Sequence, residues 1–208
     1  INREKSNFDI NSNEYYDSVF NVILKLNENL NKRTLVLCTA YSQINNFKNI
    51  LKNKFLKNEN RFLFQDTTTS KQILLRRYLE NSNSVLFGTS TFWEGIDLPN
   101  DKLEILLITK LPFSNPRAPI VEAKIDYYQS IGMNSFSDYQ LPEAILKLRQ
   151  GIGRLIRSQN DMGICILSDP RILNKKYGST IIECLNLNPI IFSDINFALT
   201  ESKIFLGS

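Results

Sequence analysis

LRQGIGRLIRSQNDMG, residues 148–163, is the stretch from which the rest of the chain can be read. Counted at 100° per residue from Pro142, a residue suited to the first helical position, Gln150, Arg154 and Arg157 fall within an arc of about 60°. Ile145, Leu148, Ile152, Leu155 and Ile156 fall on the opposite side. One side is therefore apolar, and the other carries an amide and two guanidinium forks, groups suited to gripping phosphate. Gly151 and Gly153 each cost such a helix roughly 1 kcal/mol against Ala, which points to a close approach of backbone or phosphate beside the arginines. A solvated basic face on an ordinary amphipathic helix has the same pattern, so the flanking sequence must arbitrate.

Outward from that helix, which the pattern predicts over 141–157, strands and helices alternate. A buried strand over 163–168 and a closing helix over 171–185 follow it. Before it come helices over 13–30, 42–56, 70–79 and 117–132, and apolar strands over 34–38, 61–65, 84–87 and 104–109. Ser70 is placed as an N-cap. This alternation predicts an α/β domain, an open, mostly parallel sheet with helices on both faces and ligands outside the carboxyl ends of the strands. Residues 1–12 read as a polar segment and 13–208 as one domain, with a helical insertion at about 117–141.

Composition narrows the chemistry. The 208 residues are 42% hydrophobic and 22% charged, enough for a real core, and the net charge of +4 admits nucleic acid as a partner. There is no histidine, which excludes Ser/His/Asp triads, Cys/His dyads and His-ligated metals. No Gly-Lys dipeptide occurs, so the chain has no phosphate loop of the GxxxxGK[ST] kind. The three cysteines lack CxxC spacing, and Cys38 and Cys165 stand in apolar runs, so both are expected in the core, with neither disulfide nor metal. No apolar run reaches membrane length and the first residues, INREKSNFD, are polar, so a cytoplasmic protein is expected, without a membrane partner. A start at Ile1 suggests a piece of a longer protein.

Several polar groups fall at strand ends. Residues 88–99, GTSTFWEGIDLP, combine hydroxyls at Thr89, Ser90 and Thr91 with open backbone at Gly88 and Gly95, which suits phosphate binding, and the acceptors Glu94 and Asp97. A turn-rich loop packed over Trp93 fits the same residues. Thr39 and Ser42 follow the strand TLVLC, and Ser42 serves equally as an N-cap. Lys110 is a point charge at a strand end, while Phe113 offers either a stacking face or a core side chain.

Gln150, Gly153, Arg154 and Arg157 form QxxGRxxR, which resembles motif VI of superfamily 2 helicases. Leu155, Ile156, Asn160, Asp161 and Gly163 extend the likeness to the XPD and DinG branch. Residues 88–99 resemble motif V of that branch and residues 39–42 motif IV. The segments KLPF at 110–113 and DYQLP at 138–142 are similar to its connecting segments, and Gln65 matches a position usually held by Gln. The resemblance covers roughly residues 13–185, with the motifs in order.

It implies a RecA-like second motor domain of an ATP-dependent DNA helicase, moving 5′ to 3′ on single-stranded DNA. Arg154 and Arg157 would be arginine fingers for the γ-phosphate, with Gln150 positioning water or sensing that phosphate. Glu94, Gly95, Asp97 and Gly153 would face the nucleotide, and Thr39, Ser42, Thr89, Ser90 and Lys110 the DNA. ATP and Mg2+ would be held mainly by the first RecA-like domain of the same polypeptide, absent here, so this chain alone is expected to be inactive. The alternative is a non-hydrolysing nucleic-acid-binding module with the same fold. A dinucleotide site at Gly151 and Gly153 is rejected, because those glycines lie within a helix and not on a strand-to-helix turn.

Overall fold

The computed structural model describes residues 9–54, 59–89, 103–156, 162–192 and 194–206. Ser90, Glu94, Gly95, Asp97 and Arg157 lie outside them. By internal packing the chain divides into two units. The first is Ile1–Lys110, Arg154–Pro170 and Ile190–Ser208; the second is Leu111–Gly153 and Arg171–Pro189.

The first unit is built on five parallel strands, β1 (Thr34–Cys38), β2 (Phe62–Phe64), β3 (Val85–Thr89), β4 (Ile105–Ile108) and β5 (Ile164–Leu167). They are ordered β2-β3-β1-β4-β5. Thr34 lies opposite both Val85 and Ile105, which makes β1 the central strand, and Ile105 lies opposite Ile164 at the edge. The central strands are nearly continuous apolar runs because a parallel sheet is covered on both faces. Side chains alternate accordingly: Val36, Cys38, Val85, Phe87, Ile105 and Leu107 join one core cluster, while Leu35, Leu86 and Leu106 are as deeply buried opposite it.

Helices α1 (Asn13–Leu30), α2 (Tyr41–Lys54) and α8 (Ile195–Leu206) belong to this unit, as does α3 (Lys71–Glu80). Phe20 and Ile23 from α1, Phe47 from α2 and Leu199 from α8 enter the first core cluster, where the Phe87 ring lies 5.2 Å from Phe47 and 4.7 Å from Phe64. Burying each such ring fully contributes about 1.5–3 kcal/mol. The Ser12 hydroxyl caps α1 by accepting from the Tyr15 N–H, and Ser70 caps α3 by accepting from Ile73. Ser70 thus takes the role its sequence context predicts. Helix α2 starts one residue earlier than the sequence suggests, so Ser42 is within its first turn and is not its cap.

The second unit contains α4 (Pro119–Ser130), a π-helical turn (Phe136–Gln140), α5 (Leu141–Leu155) as far as Gly153, α6 (Arg171–Asn174) and α7 (Tyr177–Leu185). Phe113, half-buried, packs among Phe136, Tyr177 and the Arg171 guanidinium, at 5.6, 5.5 and 5.6 Å between centres. An Arg149 guanidinium nitrogen donates to the Cys184 carbonyl at 2.6 Å, placing a cation at the carboxyl end of α7.

Three expectations are corrected. The closing helix is two helices, α6 and α7. A Cβ on Gly178 would lie 1.9 Å from the Ile172 carbonyl oxygen, so this bend exists only with glycine. Cys165, on β5 at the end of the strand order, is exposed and not in the core. Ile156 is exposed too, because α5 ends at Leu155.

Candidate functional site

The carboxyl ends of β1, β3 and β4 carry a band of hydrogen-bonded polar side chains. Gln43 organises its first half. Its amide nitrogen donates to Thr39 Oγ1 at 2.6 Å, and its Oε1 accepts from the Thr39 N–H at 3.2 Å. The Thr109 hydroxyl, just past β4, lies 2.9 Å from both Gln43 Oε1 and the Leu37 carbonyl, so its single proton is shared between them. Gln43 is buried in the first turn of α2, whereas Thr39, Tyr41 and Ser42 are exposed around it. Of these, Thr39 is fixed by the buried amide through both its backbone N–H and its hydroxyl.

Gln65 organises the second half. Its Oε1 accepts from the Thr89 N–H at 2.8 Å and lies 3.1 Å from the Thr89 hydroxyl, while its Nε2 donates to the Tyr41 hydroxyl at 2.7 Å. It joins the end of β3 to the start of α2. The turn after it is held by Asp66, whose Oδ1 accepts from the N–H groups of Thr68 and Thr69 at 2.9 and 2.6 Å. These donors, the Thr69 N–H first, hold the Asp66 carboxyl down at about 2.

The sequence-predicted DNA residues separate into two groups. Thr39 and Ser42 are exposed at the rim, Ser42 in the first turn of a helix, where backbone N–H groups favour anions. Thr89 is buried against Gln65, and Lys110 is buried with its amine donating to Asn11 Oδ1 at 2.8 Å and to the Tyr16 hydroxyl at 3.0 Å. Lys110 thus lies inside the first unit, its amine held by Asn11 and Tyr16. Nearby, burial pushes the Cys38 thiol far up, against the smaller opposing effects of a Thr109 hydrogen bond and the Lys110 charge, so it stays neutral.

On α5, Gln150 and Gly153 are exposed, Arg154 is half-buried, and Leu148 and Leu155 are buried, the division that the helical spacing predicts. A Cβ on Gly153 would meet nothing within 4 Å. The chain itself therefore does not require glycine there. Gly163 differs, since a Cβ there would lie 2.5 Å from Leu155 Cδ1 and the leucine side chain would have to move.

Sequence reasoning misses Gln43, Tyr41 and Thr109 and undervalues Gln65. One signal was available for Gln43, which stands at the i, i+4, i+8 spacing with Phe47 and Leu51, an amide on an otherwise apolar face.

Comparison with known proteins agrees with this geometry. Residues 23–187 match the family described as the helicase C-terminal domain. The chain is similar to the ATP-dependent DNA helicase YoaA of Haemophilus influenzae, 36% identical over 169 residues, which are 81% of this chain and 26% of that protein. It is also similar to the ATP-dependent DNA helicase DinG of Photobacterium profundum, 48% identical over 98 residues, 47% of this chain and 14% of that protein. The DinG of Bacillus subtilis, described as a 3′-5′ exonuclease, is 45% identical over 98 residues, 47% of this chain and 10% of that protein. The chain thus spans about a quarter or less of the length of these relatives. Among solved structures, an XPD helicase superposes with a TM-score of 0.65 at 20% identity, covering 89% of this chain and 33% of that one, a likeness of fold. With its sheet order, its motifs and these matches in accord, the chain belongs to the helicase C-terminal domain family, as a RecA-like domain of the DinG and XPD type.

Proposed function

We propose that this chain is the second motor half of an ATP-dependent helicase acting on single-stranded DNA, with a role in DNA repair in the cytoplasm. The observation that carries the reading is the exposed pair of Thr39, held by Gln43, and Ser42 in the first turn of α2, at the carboxyl end of the central strand, where open α/β sheets bind their ligands. Membership of the helicase C-terminal domain family supports it.

Phosphoryl transfer needs positive charge where the γ-phosphate gains negative charge. Arg154 and Arg157 supply it, and Gln150, one helical turn before Arg154, orients water or senses the phosphate. Glu94, Gly95, Asp97 and Gly153 face the nucleotide. The open side of Gly153 leaves room for a phosphate or a facing backbone. Thr39, Ser42 and Ser90 contact the DNA backbone, and Thr89 reaches it only through the acceptor side of a hydroxyl that already bonds Gln65. As the resemblance implies, ATP and Mg2+ are held mainly by the first motor domain of the same polypeptide, and no step of this chain runs through the metal.

The test is made in the parent protein. Arg154→Ala lowers ATP turnover by about 10³ or more while single-stranded DNA affinity is kept. Gly153→Ala favours the helix by up to about 1 kcal/mol yet lowers turnover, because the added methyl fills the approach. Ser42→Ala weakens DNA binding by about 1 kcal/mol. Normal turnover in both α5 variants would remove the finger assignment. DNA binding by the parent without any turnover would favour the non-hydrolysing module instead.

A further inference from the structure

We propose that Lys110, Tyr16 and Gln43 are positioning residues that tie the start of α1 to the rim residue Thr39, and that the Lys110 charge serves this linkage rather than a DNA phosphate. Burying an ammonium group is costly unless its donors are satisfied. The Lys110 amine has three N–H donors. One meets Asn11 Oδ1 at 2.8 Å and one the Tyr16 hydroxyl at 3.0 Å, and the amine lies 5.1 Å from the Tyr16 ring centre and 5.7 Å from that of Tyr15. The Tyr15 hydroxyl donates to the carbonyl of Thr109, the residue before Lys110. Three residues, Asn11 ahead of α1 and Tyr15 and Tyr16 in its first turn, thus clasp the end of β4.

From there the contacts continue without a gap. Thr109 Oγ1 lies 2.9 Å from Gln43 Oε1, and the same oxygen accepts the Thr39 N–H, while the Gln43 amide nitrogen donates to Thr39 Oγ1. A shift of α1 at its start moves the end of β4, and Gln43 passes that displacement to the backbone of Thr39. Contiguity alone does not establish coupling, so the proposal stands on a measurement that reads Thr39 directly. The geometric link is independent of the helicase reading; only its use on DNA rests on that reading.

The experiment compares wild type, Tyr16→Phe, Lys110→Met and the double variant of this chain by amide hydrogen exchange. Each single variant raises exchange at the Thr39 N–H by about threefold or more, and the double variant adds little, because both break one linkage. Unchanged Thr39 exchange in Tyr16→Phe, the mildest change and the one surest to fold, overturns the proposal. So does a fully additive double variant.

In the parent protein, a salt series of single-stranded DNA binding then separates positioning from contact. Weaker DNA binding by Lys110→Met at unchanged salt slope supports positioning; a slope reduced by about 0.7, one phosphate's worth, overturns it. A wild-type parent that binds no DNA sinks the helicase reading while the exchange arm still decides the linkage.

Discussion

At the scale of single residues, the rim is held by two amides, Gln43 and Gln65, that bond the hydroxyl residues around them. Gln65 satisfies Thr89 and Tyr41 together, and the turn that follows it depends on the Asp66 carboxylate. The folded Asp66 titrates at about 2, below its ordinary value of 3.8, so its hydrogen bonds stabilise the fold fully above about pH 4. That contribution is lost as pH falls through about 2. A carbon-detected NMR titration of the Asp66 carboxyl is expected to show a midpoint near 2, with the Thr68 and Thr69 amides moving in step. A midpoint at the ordinary value would show the turn to be open in solution. Lys110 shows where reading residues by type stops: sequence gives a cation at a strand end, but two tyrosines and an asparagine nearly a hundred positions earlier decide that it faces inward. Thr109 escapes notice for the same reason, since its partners Leu37 and Gln43 lie some seventy positions earlier and are brought to it by strand pairing.

At the scale of elements, hydrophobic period carries most of the information. Helix α1 and strand β1 match their predicted bounds, and α5 keeps its apolar and polar sides. Helix α8 was not legible because its inward residues are Ala198, Leu199 and Ser202 while Phe197, Ile204 and Phe205 are exposed, which inverts the usual signal. The sequence pattern merges α6 and α7 into one helix because nothing in a periodic pattern reveals a backbone contact. That contact makes a prediction. Gly178→Ala places a methyl group against the Ile172 carbonyl and is expected to destabilise the protein by about 1–3 kcal/mol, measured by urea unfolding. An unchanged midpoint would mean that α6 and α7 are not packed as described.

At the scale of the whole molecule, the sequence conveys the parallel α/β class and the family, because strand-helix alternation and ordered motifs are properties of the chain's length. The division into two units is less legible: the second unit returns at Arg171–Pro189, long after the apparent insertion has ended. The chain has no Gly-Lys dipeptide with which to cradle a triphosphate, so the isolated chain is expected to turn over no ATP even with single-stranded DNA present, as followed by phosphate release. Turnover by the isolated chain would require a complete nucleotide site within it.

The pairing of β4 with β5 carries a consequence for synthesis. Ile105 waits for Ile164, and the residues between them include Leu111–Gly153, most of another packing unit. On the ribosome, β4 emerges with one flank already served by β1 and the other bare until the intervening polypeptide has left the tunnel. Nascent chains that stop in that interval offer an unpaired sheet margin to their neighbours, which makes them the species for chaperones to shield and the form most prone to aggregate when the protein is overproduced.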